Sequence, residues 1–245
     1  MKNSKRIFLF IFCFILVISL APFISAQSTD KKELTIDDYE RWRTINSVSI
    51  SDNGEWITFA YNFPDKDDTL YIKSTLTDKV FEIPSGSSPA LSDDSKWAVY
   101  FINLPDKEQK KLEKDKKPIP RKAELLNIES GDKLTWENAA SFSFSKGSGF
   151  LAVKKTKADP KSELKGSDLI LRNLAQGNHE LIGHVNEFSF NKPGSMFAYT
   201  IDASDKNGNG LYLIDLNSSV RKPLDNGDLD YSRMSWNEKG NALAV

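Results

Sequence analysis

The chain has 245 residues, of which 39% are hydrophobic and 27% charged, and its formal net charge is −1. This charge balance excludes a global attraction to nucleic acid or to an anionic membrane. The single cysteine excludes a fold held together by intramolecular disulfides, so a hydrophobic core must stabilise the protein, and the chain is long enough to bury one.

Residues 1–26 have the layout of a secretory signal peptide. Three basic residues precede an uncharged, mainly apolar run of 14 residues, 7–20, and the small residues Ser25 and Ala26 follow it. The alternative is a membrane-spanning helix, which needs about 20 apolar residues. We expect cleavage before Gln27 and export to the bacterial periplasm or the extracellular space. The mature chain then has 30 Lys and Arg against 34 Asp and Glu, a net charge of −4, and no cysteine.

Residues 27–46 form a lead-in segment ahead of the first repeat. Within it the stretch LTIDDYERW, residues 34–42, predicts a short helical turn. Thr35 can cap this turn, and Asp38, three residues later, supplies part of a capping box. We therefore expect one short helix immediately before the first strands.

Five similar segments follow. Each begins with a serine or asparagine, which we call the anchor residue, continues with a polar turn and ends in an apolar, β-rich run. The anchor residues are Ser51, Ser92, Ser145, Asn191 and Asn237. Glycine and asparagine in the turns supply unusual backbone angles, and the aromatic and β-branched residues that follow favour strands. Each segment therefore predicts two strands joined by a tight turn.

A second motif alternates with these anchor turns. It consists of a strand, a polar turn and another strand, and it occurs at residues 70–83, 125–136, 169–182 and 211–224. Together the two motifs make four short strands in a unit of about 40–46 residues, a period that is typical of β-propeller blades. The sequence predicts an all-β fold, a β-propeller of four-stranded antiparallel blades over residues 47–245, with about four blades and the start of a fifth.

A charged insertion lengthens the second unit. Anchors Ser92 and Ser145 are 53 residues apart, and the surplus lies in residues 105–122, which hold eight Lys and Arg and four Asp and Glu. One interpretation is a basic docking arm. The other, which we favour because mixed charge runs usually face water, is a solvated, mobile excursion between two strands.

The repeated sequence pattern of serine, polar turn and aromatic strand resembles the propeller repeats of the prolyl oligopeptidase family and of the related TolB-type propellers. The opening LTIDDYERWRTINSVSISDNGEWITFAY resembles the start of secreted bacterial members of that peptidase family. The lysine-rich insertion after SDDSKWAVYFI is similar to one in their second blade. The resemblance covers about residues 34–245.

The resemblance implies a catalytic domain that this chain does not contain. In that family the propeller is followed by an α/β-hydrolase domain with a Ser-Asp-His triad, and the propeller restricts access to small peptides. The chain has no Gly-x-Ser-x-Gly motif, and neither of its histidines, His179 and His184, is placed to act as a general base. We therefore assign no catalytic residue here, and we expect the sequence to be a fragment, with the hydrolase domain downstream.

Two patterns imitate binding sites. DKNGNG, residues 205–210, resembles the start of a calcium loop, but Leu216 stands where such a loop needs a bidentate glutamate, so we interpret it as a hairpin turn. Aromatic residues recur near one repeat position, where we expect inter-blade core and not a sugar platform; they are Trp56, Trp97, Phe150 and Trp236. We assign no metal or cofactor ligand.

Three functions remain open at this point. The first is the substrate-gating propeller of an exported serine peptidase that hydrolyses short peptides, in intramolecular contact with its hydrolase domain. The second is a non-catalytic, TolB-like periplasmic propeller that docks proteins. The third is a propeller glycosidase or lyase, which needs clustered carboxylates, and none stands out. Under the favoured first function we expect no nucleic-acid partner and no membrane partner after signal cleavage.

Overall fold

The computed structural model describes residues 33–39, 42–63, 67–159, 161–204, 206, 208–227 and 229–245. The expected signal peptide, residues 1–26, lies outside the described residues. Among the described residues no helix is long and apolar enough to cross a membrane.

The predicted helical turn is present as α1 (Ile36–Tyr39). The backbone N–H and the hydroxyl of Thr35 each donate to the Asp38 carboxylate at 3.1 Å, and the backbone N–H of Asp38 donates to the Thr35 carbonyl at 3.0 Å. The carboxylate thus reaches back to the residue that precedes the helix, which is the half of a capping box that a residue three positions later provides.

The rest of the described chain consists of antiparallel sheets in chain order. Blade 1 contains β1 (Thr44–Ile50), β2 (Trp56–Asn62), β3 (Thr69–Ser74) and β4 (Val80–Pro84). Blade 2 contains β5 (Gly86–Leu91), β6 (Trp97–Ile102), β7 (Lys122–Asn127) and β8 (Lys133–Trp136), with α2 (Asp106–Lys114) between β6 and β7. Each strand pairs with the next, so each blade is a four-stranded meander.

Blades 3 and 4 share one long strand, which the sequence analysis did not predict. Blade 3 contains β9 (Ala139–Phe144), β10 (Phe150–Lys155), β11 (Ser167–Asn173) and the first part of β12 (His179–Phe190); a 3₁₀ turn (Lys146–Ser148) joins β9 to β10. Blade 4 contains the last part of β12, β13 (Met196–Ile201), β14 (Gly210–Asp215) and β15 (Val220–Asn226). The two halves of β12 meet at His184, whose φ of +57° turns the strand from the outer edge of one blade to the inner edge of the next.

A fifth unit begins with β16 (Ser235–Trp236) and β17 (Leu243–Ala244), which pair with each other. The described chain therefore contains four complete blades and the first hairpin of another, as predicted. The fold is all-β, a β-propeller of four-stranded antiparallel blades. The insertion lies between the second and third strands of blade 2, as expected, but it contains a helix that the sequence analysis did not predict.

The anchor residues have one structural role in all five units. The side-chain oxygen of each anchor accepts the backbone N–H of the residue five positions later, which lies at the start of the second strand or directly before it; Trp56 and Trp97 donate to Ser51 and Ser92 at 3.0 and 2.9 Å. The residue three positions after each anchor has a positive φ; these residues are Gly54, Ser95, Ser148, Gly194 and Gly240. Serine and asparagine recur because a short side-chain acceptor is needed inside each turn.

Hydrophobic clusters fill the spaces between successive blades. Between blades 1 and 2 the buried residues are Ala60, Leu70, Ile72, Ile83, Ala98, Tyr100, Leu126 and Ile128. Equivalent clusters join blade 2 to blade 3 and blade 3 to blade 4. Trp56, Trp97 and Phe150 pack against these clusters, so the prediction that the recurring aromatics belong to the inter-blade core is confirmed for them.

Removal of an anchor hydroxyl is expected to destabilise the fold. Ser145 is 1% exposed, and its Oγ accepts the Phe150 N–H at 2.9 Å. Ser145→Ala leaves the partly buried Phe150 N–H without its side-chain acceptor, at a cost of about 1–3 kcal/mol in the free energy of unfolding. Urea unfolding measures it. The control is Ser141→Ala on β9, the strand that leads to this anchor, where the side chain is only partly buried; an equal effect of the two substitutions would contradict the role of the anchor.

Candidate functional site

The connections that differ most in length lie on one face of the blades. In an antiparallel meander the loop between the second and third strands and the passage from the fourth strand to the next blade lie at the same end. The described residues of the loops between the second and third strands are 63, 67–68, 103–121, 156–159, 161–166, 202–204, 206 and 208–209. We call this end the long-loop face, and the opposite end, which carries the anchor turns, the turn face. Variable loops on a rigid scaffold are where propellers place binding functions.

Cationic side chains on the long-loop face bind carbonyls of the innermost strands. Each innermost strand has a bulge that disrupts the ladder and frees backbone groups. Arg121 donates to the carbonyls of Ala139 and Ala140, and its guanidinium lies 3.6 Å from the centre of the Phe101 ring. Burial lowers the pKa of this guanidinium. Arg121, directly before the third strand of blade 2, therefore fastens that blade to the inner strand of blade 3.

Lys154 repeats this arrangement between blades 3 and 4. Its Nζ donates to the Asn186 carbonyl, which lies in the bulge of β12. Burial lowers the pKa of Lys154, and the nearby Glu187 carboxylate opposes that shift. Glu187 in turn accepts the Met234 N–H at 3.2 Å, which ties blade 4 to the segment directly before the fifth unit. The charged side chains next to the innermost strands are thus hydrogen-bonded to backbone groups of the neighbouring unit, and these bonds hold adjacent blades together.

The outer part of this face carries a second paired cluster. Lys165 Nζ lies 3.2 Å from the Asp230 carboxylate, and the Lys165 N–H donates to Asp202 at 2.6 Å. The next residue, Gly166, packs so closely that a Cβ there would lie 2.3 Å from the Asp202 carbonyl oxygen. The close backbone approach therefore holds the loops of blades 3 and 4 together, and the exposed ion pair adds a weaker contact with the segment before the fifth unit.

Neither histidine is part of a catalytic arrangement in the described part of the chain. His179 is the first residue of β12 and pairs with Arg172 in the ladder, and His184 is the residue that turns β12. Both side chains are exposed, and neither has a hydrogen-bond partner among the described residues. A triad needs a histidine within hydrogen-bond reach of a serine and of an orienting carboxylate, so the described residues offer no triad.

The described residues contain no group of three or more His, Cys, Asp or Glu side chains arranged to hold a metal ion. Of the calcium-like segment, Asp205 and Asn207 lie outside the described residues. The remaining part joins β13 to β14, as the hairpin interpretation requires, and Asn209 Oδ1 accepts the Ala203 N–H at 2.8 Å. That oxygen therefore stabilises the loop itself.

Glu124 is a buried carboxylate that the sequence analysis missed. It lies on β7 and is 8% exposed; it accepts hydrogen bonds from Tyr100 at 2.6 Å and Thr135 at 3.1 Å, and its Oε1 lies 3.0 Å from Lys133 Nζ. Burial raises its pKa, but the donors and the lysine charge outweigh burial, so the pKa is lowered. The only sequence signal was a charged residue inside the apolar run AELLNI.

The fold should lose stability in acid through Glu124. Because its pKa is lower in the folded protein, its contribution is present above the unfolded pKa and is lost as pH falls through the folded pKa. Tyr100→Phe removes the buried donor, which lowers the free energy of unfolding by about 1.5–3 kcal/mol at pH 7. The free energy of unfolding of this variant should then fall less steeply as pH decreases. Urea unfolding from pH 7 to pH 3 measures both effects. An equally steep fall of the free energy of unfolding in the wild type and in Tyr100→Phe would contradict this role for the tyrosine.

Comparison with known proteins gives likeness of fold alone. No family model matches the chain, and a search of curated proteins gives no match. A prolyl endopeptidase structure is similar with a TM-score of 0.46 and 12% identity, over 76% of this chain and 30% of that one. The β-propeller domain of the Trilobed protease from Pyrococcus furiosus gives 0.48 and 10%, over 76% and 58%. TolB from Acinetobacter baumannii gives 0.41 and 13%, over 82% and 48%. The chain thus spans less than two thirds of each, and the fold assignment rests on its own blades.

Proposed function

We propose that the chain is the N-terminal substrate-gating propeller of an exported serine peptidase of the prolyl oligopeptidase family, which hydrolyses short peptides. The observation that carries the proposal is the combination of the opening segment, residues 34–42, with a lysine-rich insertion between the second and third strands of blade 2. This order of elements is more specific to that family than the blade repeat is, because many propellers share the repeat.

The contacts of the described blades fit a scaffold role. Arg121 and Lys154 bind backbone carbonyls, and Glu187 binds a backbone N–H, so these charged groups hold neighbouring blades together. In the proposed protein the chemistry comes from a hydrolase domain encoded downstream of Val245, and a rigid ring of blades restricts access to it. Short peptides pass such a restriction, whereas folded proteins are excluded by size.

Export is part of the same proposal. The basic start, the apolar run and the small residues before Gln27 support a cleaved signal peptide. The mature protein then works in the periplasm or outside the cell, where short peptides are available as substrates.

The test compares this chain with the product of its extended reading frame. We expect the longer protein to contain a Gly-x-Ser-x-Gly motif, to cleave short peptides and to be silenced by a serine-directed phosphonate. Residues 1–245 alone should hydrolyse none of the same peptides.

Two outcomes contradict the proposal. Peptidase activity in the 245-residue chain would place the chemistry inside the blades. An inactive extended protein that stops after one or two more blades would instead favour the TolB-like docking propeller.

A further inference from the structure

Helix α2 of the insertion carries a continuous stripe of lysines. Lys107, Lys110, Lys111 and Lys114 are spaced i, i+3, i+4 and i+7, which places them on one face of the helix. The helix spans nine residues, and none of them is fully buried. Four ammonium groups therefore lie side by side over about two turns.

The opposite face of the helix is fixed to the protein. Asp106, Gln109 and Leu112 are the partly buried residues of α2. The Asp106 N–H donates to the Asp67 carboxylate at 2.7 Å, and Gln109 Nε2 donates to the Leu104 carbonyl at 2.7 Å. Because these contacts hold one side of the helix against the protein, the lysine stripe faces solvent.

Most of the stripe has no neutralising partner within the described chain. Lys110 pairs with Asp106 at 2.6 Å, whereas Lys107, Lys111 and Lys114 form no ion pair with any residue that the structure describes. Lysines three and four residues apart repel one another and weaken a helix slightly. The acidic residues of α2, Asp106, Glu108 and Glu113, flank the stripe and leave three of its lysines without an ion pair, so the stripe suits an external anion.

The end of the helix adds two more lysines. Lys117 N–H donates to the Leu112 carbonyl at 2.9 Å and Lys116 N–H to the Glu113 carbonyl at 3.0 Å, the bonds of a Schellman motif. Lys116 has a φ of +53° at the position of this motif that favours glycine. Lys117 Nζ lies 3.7 Å from the Asp115 carboxylate, so Lys116 is the residue that extends the positive surface beyond the last turn, and the turn itself does not favour a lysine there.

We propose that this lysine stripe binds the anionic phospholipid surface of a membrane. Lysine is a point charge that can approach lipid phosphates in any orientation, and clusters of four or more on a helix suit such a surface. The helix has no arginine and no aromatic residue, so it lacks the groups that stack on bases or bind phosphates bidentately. It also has no apolar residue on the exposed face, so it lies on the headgroups and does not insert.

The proposal replaces the expectation of no membrane partner, which came from the net charge. A net charge of −4 averages over the whole mature chain, whereas a charged surface acts over about 10 Å at 0.1 M salt. Within that distance the eight Lys and Arg of residues 105–122 outnumber their four Asp and Glu, so this segment is locally positive although the mature chain is acidic.

The test measures co-sedimentation of the full chain with vesicles of phosphatidylglycerol and phosphatidylcholine, and with vesicles of phosphatidylcholine alone. The apolar run 7–20 contributes to binding of both kinds of vesicle. The ratio of the two partition coefficients therefore isolates the contribution of the anionic lipid. We expect the triple variant Lys107→Gln, Lys111→Gln, Lys114→Gln to lower this ratio about a hundredfold, since each lysine near an anionic surface contributes about fivefold.

The control variant changes the charge equally at exposed lysines elsewhere: Lys73→Gln, Lys96→Gln, Lys222→Gln. It should lower the ratio less than about threefold, because these lysines are not clustered with the stripe. Equal ratios for the two triple variants, or no preference of the wild type for anionic vesicles, would overturn the proposal. Binding of polyglutamate through the stripe without vesicle binding would also overturn it, in favour of an acidic protein partner.

Discussion

Gly194→Ala is expected to destabilise the protein by about 2–4 kcal/mol, whereas the same substitution at Gly54 should cost only about 1 kcal/mol. Both glycines lie three residues after an anchor, with φ of +76° and +74°, so the strain of a side chain at positive φ is the same. The difference lies in what surrounds them. A Cβ at Gly194 would lie 2.1 Å from the Lys146 carbonyl oxygen, and a Cβ at Gly54 would meet nothing within 4 Å.

This pair isolates the stacking of one turn on the previous one. Lys146 belongs to the anchor turn of blade 3 and Gly194 to that of blade 4, so the backbone must shift to accept a methyl group. Gly54 lies in the turn of blade 1, where the added methyl group would point into open space. Urea unfolding monitored by tryptophan fluorescence gives both free energies. Equal losses in the two variants would show that only the turn conformation matters, and that the turns are not in close contact.

Leu126→Ala should destabilise the protein by about 2–5 kcal/mol through loss of buried area and creation of a cavity. Leu126 is completely buried on β7, in the cluster that joins blade 1 to blade 2, beside Leu70 and Ile72. The matched control is Leu76→Ala in the turn before β4, where the leucine is 71% exposed and the expected change is within about 0.5 kcal/mol.

The Leu126→Ala substitution also distinguishes an inter-blade core from sheets that are stable independently of one another. If each blade were stabilised alone, truncation of Leu126 would lower the stability of blade 2 only, and blade 1 would unfold as in the wild type. Hydrogen exchange read out for β2 and β3 gives this answer. Unchanged protection of those strands in Leu126→Ala would contradict a shared core.

The blades were predictable because the same local turn pattern occurs five times in the sequence. Each anchor turn needs a short side-chain acceptor and a residue that tolerates positive φ, and both requirements leave a visible sequence pattern at Ser51, Ser92 and their equivalents. Local chemistry of this kind can be deduced without knowledge of the tertiary contacts.

The continuity of β12 was not predictable in the same way. At the other blade junctions a connection separates the strands, but Val185 of β12 pairs with Ser167 of β11 and also with Ile201 of β13, so the two ladders meet within one strand. Nothing local in the sequence of β12 signals that one strand serves two blades. The pairing partners decide it, and they are distant in sequence.

Helix α2 and Glu124 were missed for opposite reasons. The helix residues favour helix, but their mixed charges and the prolines that follow are equally typical of a solvated loop, and the contact with Asp67 that orients the helix comes from another blade. Glu124 stands in an apolar strand where its partners, Tyr100 and Thr135, become visible only when the strands pair. A candidate site built from long-range pairs leaves little trace in sequence order.

The most direct test of the stacked-blade architecture is zero-length carbodiimide cross-linking, read by mass spectrometry. This reagent joins only amines and carboxylates in contact. Lys146 Nζ lies 3.0 Å from the Asp93 carboxylate across the turns of blades 2 and 3, and Lys110 lies 2.6 Å from Asp106 within α2. We predict that both pairs are joined within one chain. If the Lys110–Asp106 link forms and the Lys146–Asp93 link does not, the repeats do not stack turn on turn, and the propeller account is wrong.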